Sequence, residues 1–109
     1  MNESQFTVSL GDAGPSVTDP RGKHSHLSWE SVREVVVITT DGGPFEPDFW
    51  IGFIGDGTQC GFPMGATGVS SEDIFAAFKR LPGFDYEAYI AATSSVSSAQ
   101  FVVWRRVPR

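Results

Sequence analysis

Four β-branched residues in succession, Val35-Val36-Val37-Ile38, run directly into Thr39 and Thr40, and no other stretch constrains the chain as strongly. Branching at Cβ crowds a helical turn, whereas the same side chains pack well on a pleated surface. Residues 32–40 are therefore expected to form a strand. Apolar residues on both of its faces place it centrally in a sheet, with at least part of each face covered.

A second strand is expected at residues 48–54, with Phe49, Ile51 and Phe53 on one side. On the other side Trp50 and Ile54 flank Gly52, leaving a gap that a neighbouring aromatic could fill. Gly55-Asp56-Gly57-Thr58 carries the Asp-Gly pair that suits a tight hairpin, and the chain returns through residues 59–62. Together these segments form an antiparallel meander. Upstream, residues 6–10 alternate apolar and polar with period two, as a half-buried strand does. Residues 11–15 read as a turn, and residues 16–19 and 24–28 as short strands separated by Asp19-Pro20-Arg21-Gly22.

Helices follow. Ser70 or Ser71 can cap a first turn in which Glu72 and Asp73 complement the positive helix end. Ile74, Ala77, Phe78 and Leu81 recur at helical spacing, and Pro82-Gly83 ends the run. Asp85 can cap a second helix whose Tyr86, Tyr89, Ile90 and Thr93 are expected to share a face. Residues 101–104 form a last, largely buried strand. The expected architecture is α+β: an antiparallel meander, as a barrel or half-barrel, then two short helices and a final strand.

The 109 residues make a single domain, and 40% hydrophobic with 13% aromatic content supplies its core. The formal net charge is −5, with the eight basic residues scattered rather than clustered, so nucleic acid and anionic membranes are not expected partners. One cysteine, Cys60, leaves no intramolecular disulfide. No apolar run reaches the length of a membrane span, and the first residues lack the pattern of a secretory signal, so the expected location is cytoplasmic.

The segment Asp41-Gly42-Gly43-Pro44-Phe45-Glu46-Pro47 joins the two best strands and is long for a hairpin loop. Asp41, Phe45, Glu46 and Asp48 form a candidate binding rim. The same oxygens could make a weak hard-cation site, or Asp41 could cap a turn while Phe45 plugs the core. His24 and His26 share a strand face but fall short of a zinc ligand set, and no metal or other cofactor is expected. Cys60 has no positive neighbour in sequence to lower its pKa and reads as a small buried hydrophobe. Trp29, Trp50 and Trp104 sit at or beside strands, where packing is their usual role, with interface anchoring as the alternative.

Trp29-x-x-Val32-x-x-Val35-x-Val37, the Thr39-Thr40-Asp41-Gly42-Gly43-Pro44-Phe45 run, Leu81-Pro82-Gly83-Phe84-Asp85 and the ending Phe101-Val102-Val103-Trp104 resemble a family of small bacterial proteins with no assigned activity. The resemblance covers residues 29–105 and implies a bacterial origin. The early strands and the Trp-x-x-Val entry into a long strand are similar, more loosely, to pleckstrin-homology-like modules, which implies a partner-binding role. The chain departs from that pattern by ending in a strand, and by carrying Asp12 where lipid-binding members place basic residues.

Packing residues without a convergent catalytic set point to a non-enzymatic interaction module, and the acidic balance suits a basic protein partner, as in immunity-type proteins. Two alternatives stand beside it. One is a small metal-dependent or hydrolytic enzyme using the 41–48 carboxylates with His24 and His26. The other is a homodimeric structural protein in which an exposed edge, such as the last strand, pairs with its copy.

Overall fold

The computed structural model describes residues 5–40, 49–95 and 97–106. Among the described residues, seven strands divide into two antiparallel sheets. The first has the order β1-β2-β3, from β1 (Thr7–Gly11), β2 (Gly14–Thr18) and β3 (His24–His26). The second has the order β6-β5-β4-β7, from β4 (Glu34–Thr39), β5 (Phe49–Ile54), β6 (Gln59–Pro63) and β7 (Ala99–Arg105). Helices α1 (Ser71–Lys79) and α2 (Tyr86–Thr93) lie between β6 and β7 in sequence. The architecture is α+β, with strands before helices and a strand to finish.

The β-branched run forms β4, and it is central: β5 pairs along one edge and β7 along the other. Val35 and Val37 are fully buried, together with Ile51 and Phe53 of β5 and Cys60 and Phe62 of β6. These positions alternate with residues of the opposite face, as the strand period of two requires. A bulge between Val35 and Val36 shifts the β4–β7 register, so Val36 opposes Val102 while Val35 opposes Trp104.

The first turn is tighter than expected. Gly11 pairs with Gly14, so only Asp12 and Ala13 turn the chain and Pro15 already belongs to β2. A proline is tolerated there because the lost N–H falls at the beginning of a strand. At the second turn Asp19 Oδ1 accepts the backbone N–H groups of Arg21 and Lys23, both at 2.9 Å, holding the chain before β3.

Helix α1 starts with a full capping box. Ser70 Oγ accepts the Asp73 N–H at 3.1 Å, and Asp73 Oδ2 accepts the Ser70 N–H at 2.9 Å. Its apolar face buries Ile74, Ala77 and Phe78, and Leu81 follows just beyond the helix. Asp85 caps α2 by accepting the Ala88 N–H at 2.9 Å.

The shared face expected for α2 is not the one buried. Tyr89 and Ala92 face inward with Ala88 half-buried, while Tyr86, Ile90 and Thr93 are exposed. Alanines at 88 and 92 let the helix axis approach β7 and β4, which larger side chains would prevent. The last strand is also less covered than expected. Val103 and Trp104 are buried, but Phe101 is half-buried and Val102 exposed; Val102 opposes Val36 on the outer face, where Ile38 of the central strand is equally exposed.

Two indoles tie these parts together by their N–H groups, the polar handle of an otherwise apolar side chain. Trp29 donates to the Gly11 carbonyl at 2.8 Å, and Trp104 donates to the Pro82 carbonyl at 2.8 Å. Arg106 stacks over the Trp104 ring and donates to the carbonyls of Val32 and Trp29, joining the end of β7 to the turn before β4. No helix among the described residues is long and apolar enough to cross a membrane.

Candidate functional site

The polar groups singled out in the sequence separate in space. His24 and His26 lie on β3 and both are exposed. The His24 ring meets the hydroxyls of Thr18 at 3.0 Å and Ser16 at 3.3 Å, its cross-strand neighbours on β2. Among the described residues no three His, Cys, Asp or Glu side chains gather closely enough to hold a metal ion. Asp41, Phe45, Glu46 and Asp48 lie outside the described residues.

Cys60 is fully buried on β6, with its thiol directed at the Pro15 carbonyl, 3.7 Å away. Burial pushes this thiol above its ordinary value, since an apolar setting disfavours the thiolate. The thiolate is the reactive form, so Cys60 should resist modification in the native state. With an aromatic disulfide reagent at pH 8, the folded protein is expected to react at least about a hundredfold slower than the protein in guanidinium, given a group shielded unless the fold opens. Comparable rates would mean that β6 and β2 part readily.

Other charged groups hold the fold. Arg33 pairs with Asp56 at 3.0 Å and Arg105 with Glu34 at 2.8 Å. Arg80 pairs with Asp12 while lying over the Trp29 ring, 5.5 Å from its centre. These pairs are solvent-exposed and position strand ends more than they stabilise them.

What the helices expose has a different character. Phe78 stacks on Phe84 at 4.0 Å between ring centres, and the Tyr89 ring meets Phe78 edge-on at 5.0 Å. From this buried centre the cluster reaches solvent twice. Phe75 of α1 leans on Tyr89 at 5.8 Å, and Tyr86 of α2 leans on Phe84 at 4.8 Å. Phe75 is 42% exposed, Tyr86 41% and Ile90, one helical turn after Tyr86, 62%. Glu72 and Glu87 stand exposed on the same two helices. Phe49 at the start of β5 also touches Tyr89, at 6.0 Å.

The α1 half of this surface was legible as an amphipathic pattern with Phe75 outside its apolar stripe. The α2 half was not, because YEAYIAAT is apolar around most of its circumference and offers several equivalent faces. The only available signal was that excess: a helix more apolar than one buried face requires. The chain matches no family model, no curated protein and no solved structure.

Proposed function

We propose that this chain is a non-enzymatic protein-binding module that docks a basic partner on the exposed aromatic surface of α1 and α2. The observation that carries the reading is the combined exposure of Phe75, Tyr86 and Ile90 above a packed aromatic cluster. Aromatic side chains already ordered by neighbours lose little further entropy on binding, and tyrosines of this kind are frequent interface anchors. Glu72 and Glu87 at the margin, within a chain of net charge −5, favour Lys or Arg on the partner's rim.

Affinity capture from lysate of the source organism, followed by titration with the purified captured protein, tests this. Ile90→Asp places a carboxylate one helical turn from Tyr86, at a side chain that is largely in solvent. It is expected to weaken binding at least about thirtyfold, the effect of losing a hot-spot residue, while the melting temperature stays within about 2 °C. Charge reversal at Glu46 and Asp48, the carboxylates of the rim expected from the sequence, should weaken binding by a smaller, salt-dependent factor. If every captured protein binds the Ile90→Asp variant as well as the wild type, the helical surface is not the docking site.

A further inference from the structure

The outer face of the four-stranded sheet, remote from the helices, carries a depression of about 460 Å³. Its floor is unusual. Gly52 of β5 and Gly61 of β6 are direct cross-strand partners, so two neighbouring strands lack side chains at one point. Trp50 and Ile54 rise on either side of Gly52, and Ile38 of β4 projects nearby. The Trp50 ring is held edge-on against Phe6, 5.4 Å between centres, so this wall is fixed from behind.

The two glycines have different reasons to be there. A Cβ on Gly52 would come within 3.2 Å of Val36 Cγ2, so packing against β4 keeps that position small. A Cβ on Gly61 would meet only the Ile51 carbonyl, at 3.9 Å, and Gly61 is not among the glycines with positive φ. Neither space nor backbone demands glycine at 61, yet glycine inside a strand costs stability relative to a residue with a side chain. Its effect is to keep the floor open.

We propose that this depression binds an uncharged, planar small molecule, with an apolar ring system lying on the Gly52–Gly61 floor beside Trp50. The volume falls in the range of small-ligand sites, which combine apolar walls with a few polar groups. Here the polar groups are the carboxamides of Gln59 and Gln100, at opposite rims, each able to donate and accept hydrogen bonds. No ionisable side chain lines the depression among the described residues, so a charged ligand would lose hydration without compensation. A second copy of the chain fits less well. Four strands about 4.8 Å apart and five to seven residues long present an outline of roughly 300–450 Å², against about 800 Å² per partner in a stable interface.

The neutral naphthylamine probe N-phenyl-1-naphthylamine, whose fluorescence rises in apolar surroundings, reads this directly on the full chain. Wild-type protein is expected to bind it saturably at one site. Gly61→Val fills the floor with a β-branched residue, and should weaken binding at least about tenfold while leaving the melting temperature unchanged or raised, as strand preference predicts. Ile90→Asp, on the helical surface, should leave probe binding unchanged, so this result is independent of the docking reading above. The proposal is overturned if wild type shows no saturable binding, if Gly61→Val binds as wild type does, or if Ile90→Asp abolishes the signal. It is equally overturned if light scattering shows a dimer that Gly61→Val dissociates, since the occupant is then a second copy.

Discussion

Replacing Phe78 by alanine is expected to remove about 3–5 kcal/mol of folding stability, the range for deleting a fully buried aromatic ring. Phe78 has no exposed surface and is the ring on which the helical layer converges. It stacks on Phe84, meets Tyr89 edge-on and supports Phe75 at 6.0 Å. The truncated side chain would leave a cavity bordered by rings from α1, α2 and the connection between them. Such rings are held by one another and collapse only partly into the space, so the loss exceeds the transfer of the ring itself. At about 4 °C per kcal/mol for a domain of roughly 100 residues, the melting temperature should fall by about 12–20 °C. Phe75→Ala, in the same helix but partly exposed, should cost less than about 1.5 kcal/mol. Urea unfolding of both variants decides this: near-equal midpoints would mean that the two rings are buried alike and the helical layer is packed differently.

The second large effect lies in the three-stranded sheet. Gly14 has φ of 111°, and a Cβ built on it would stand 1.9 Å from the Leu27 carbonyl oxygen and 2.9 Å from Ser28 Cα. Leu27 is tied there, because its N–H donates to the Pro15 carbonyl at 3.0 Å. A side chain at position 14 must therefore push apart two backbone segments that hydrogen-bond to each other. Gly22 provides the comparison, since its φ is 89° but nothing lies within 4 Å of its Cβ position. Gly22→Ala should cost about 1–2 kcal/mol for the left-handed conformation alone. Gly14→Ala should cost more than about 4 kcal/mol, or leave the chain insoluble, as buried steric conflicts do. Similar losses in the two variants would show that the close approach at Leu27 does not exist in solution.

Those two sites differ in how far the sequence announced them. Phe78 sits in the Ile74-Ala77-Phe78-Leu81 pattern, and all four residues are buried as the helical period implies. Ser70 and Asp85 act as caps because a short acceptor side chain at a helix start finds an unpaired N–H within three residues. The Asp-Gly hairpin and the central place of β4 were equally legible. The need for glycine at 14 was not, because the atom it avoids is Leu27 O, brought there by β3 folding back beside β2.

Among the functional candidates, His24 and His26 share an exposed strand as their spacing implied, and Cys60 is buried as its neighbours implied. The gap beside Gly52 was visible in the alternation of β5. That Gly61 would stand opposite and widen it depended on the β5–β6 register, which the Asp-Gly turn settles locally. Phe101 to Trp104 read as a buried strand, but their partnership with β4 was not predictable. The β4–β7 ladder joins Thr39 to Ala99 and Glu34 to Arg105, and no short-range pattern encodes a pairing across so much chain.

By itself the sequence determined which segments are strands and helices, where most of them turn, and which side of α1 is apolar. These follow from steric preferences and hydrogen bonds among residues within a few positions of each other. Only the tertiary structure decided which face α2 buries, which strand β7 joins and which apolar residues stay in water. An all-round apolar helix has no preferred side until a sheet supplies one, and here Ala88 and Ala92 fit closest while Tyr86 and Ile90 are left outside.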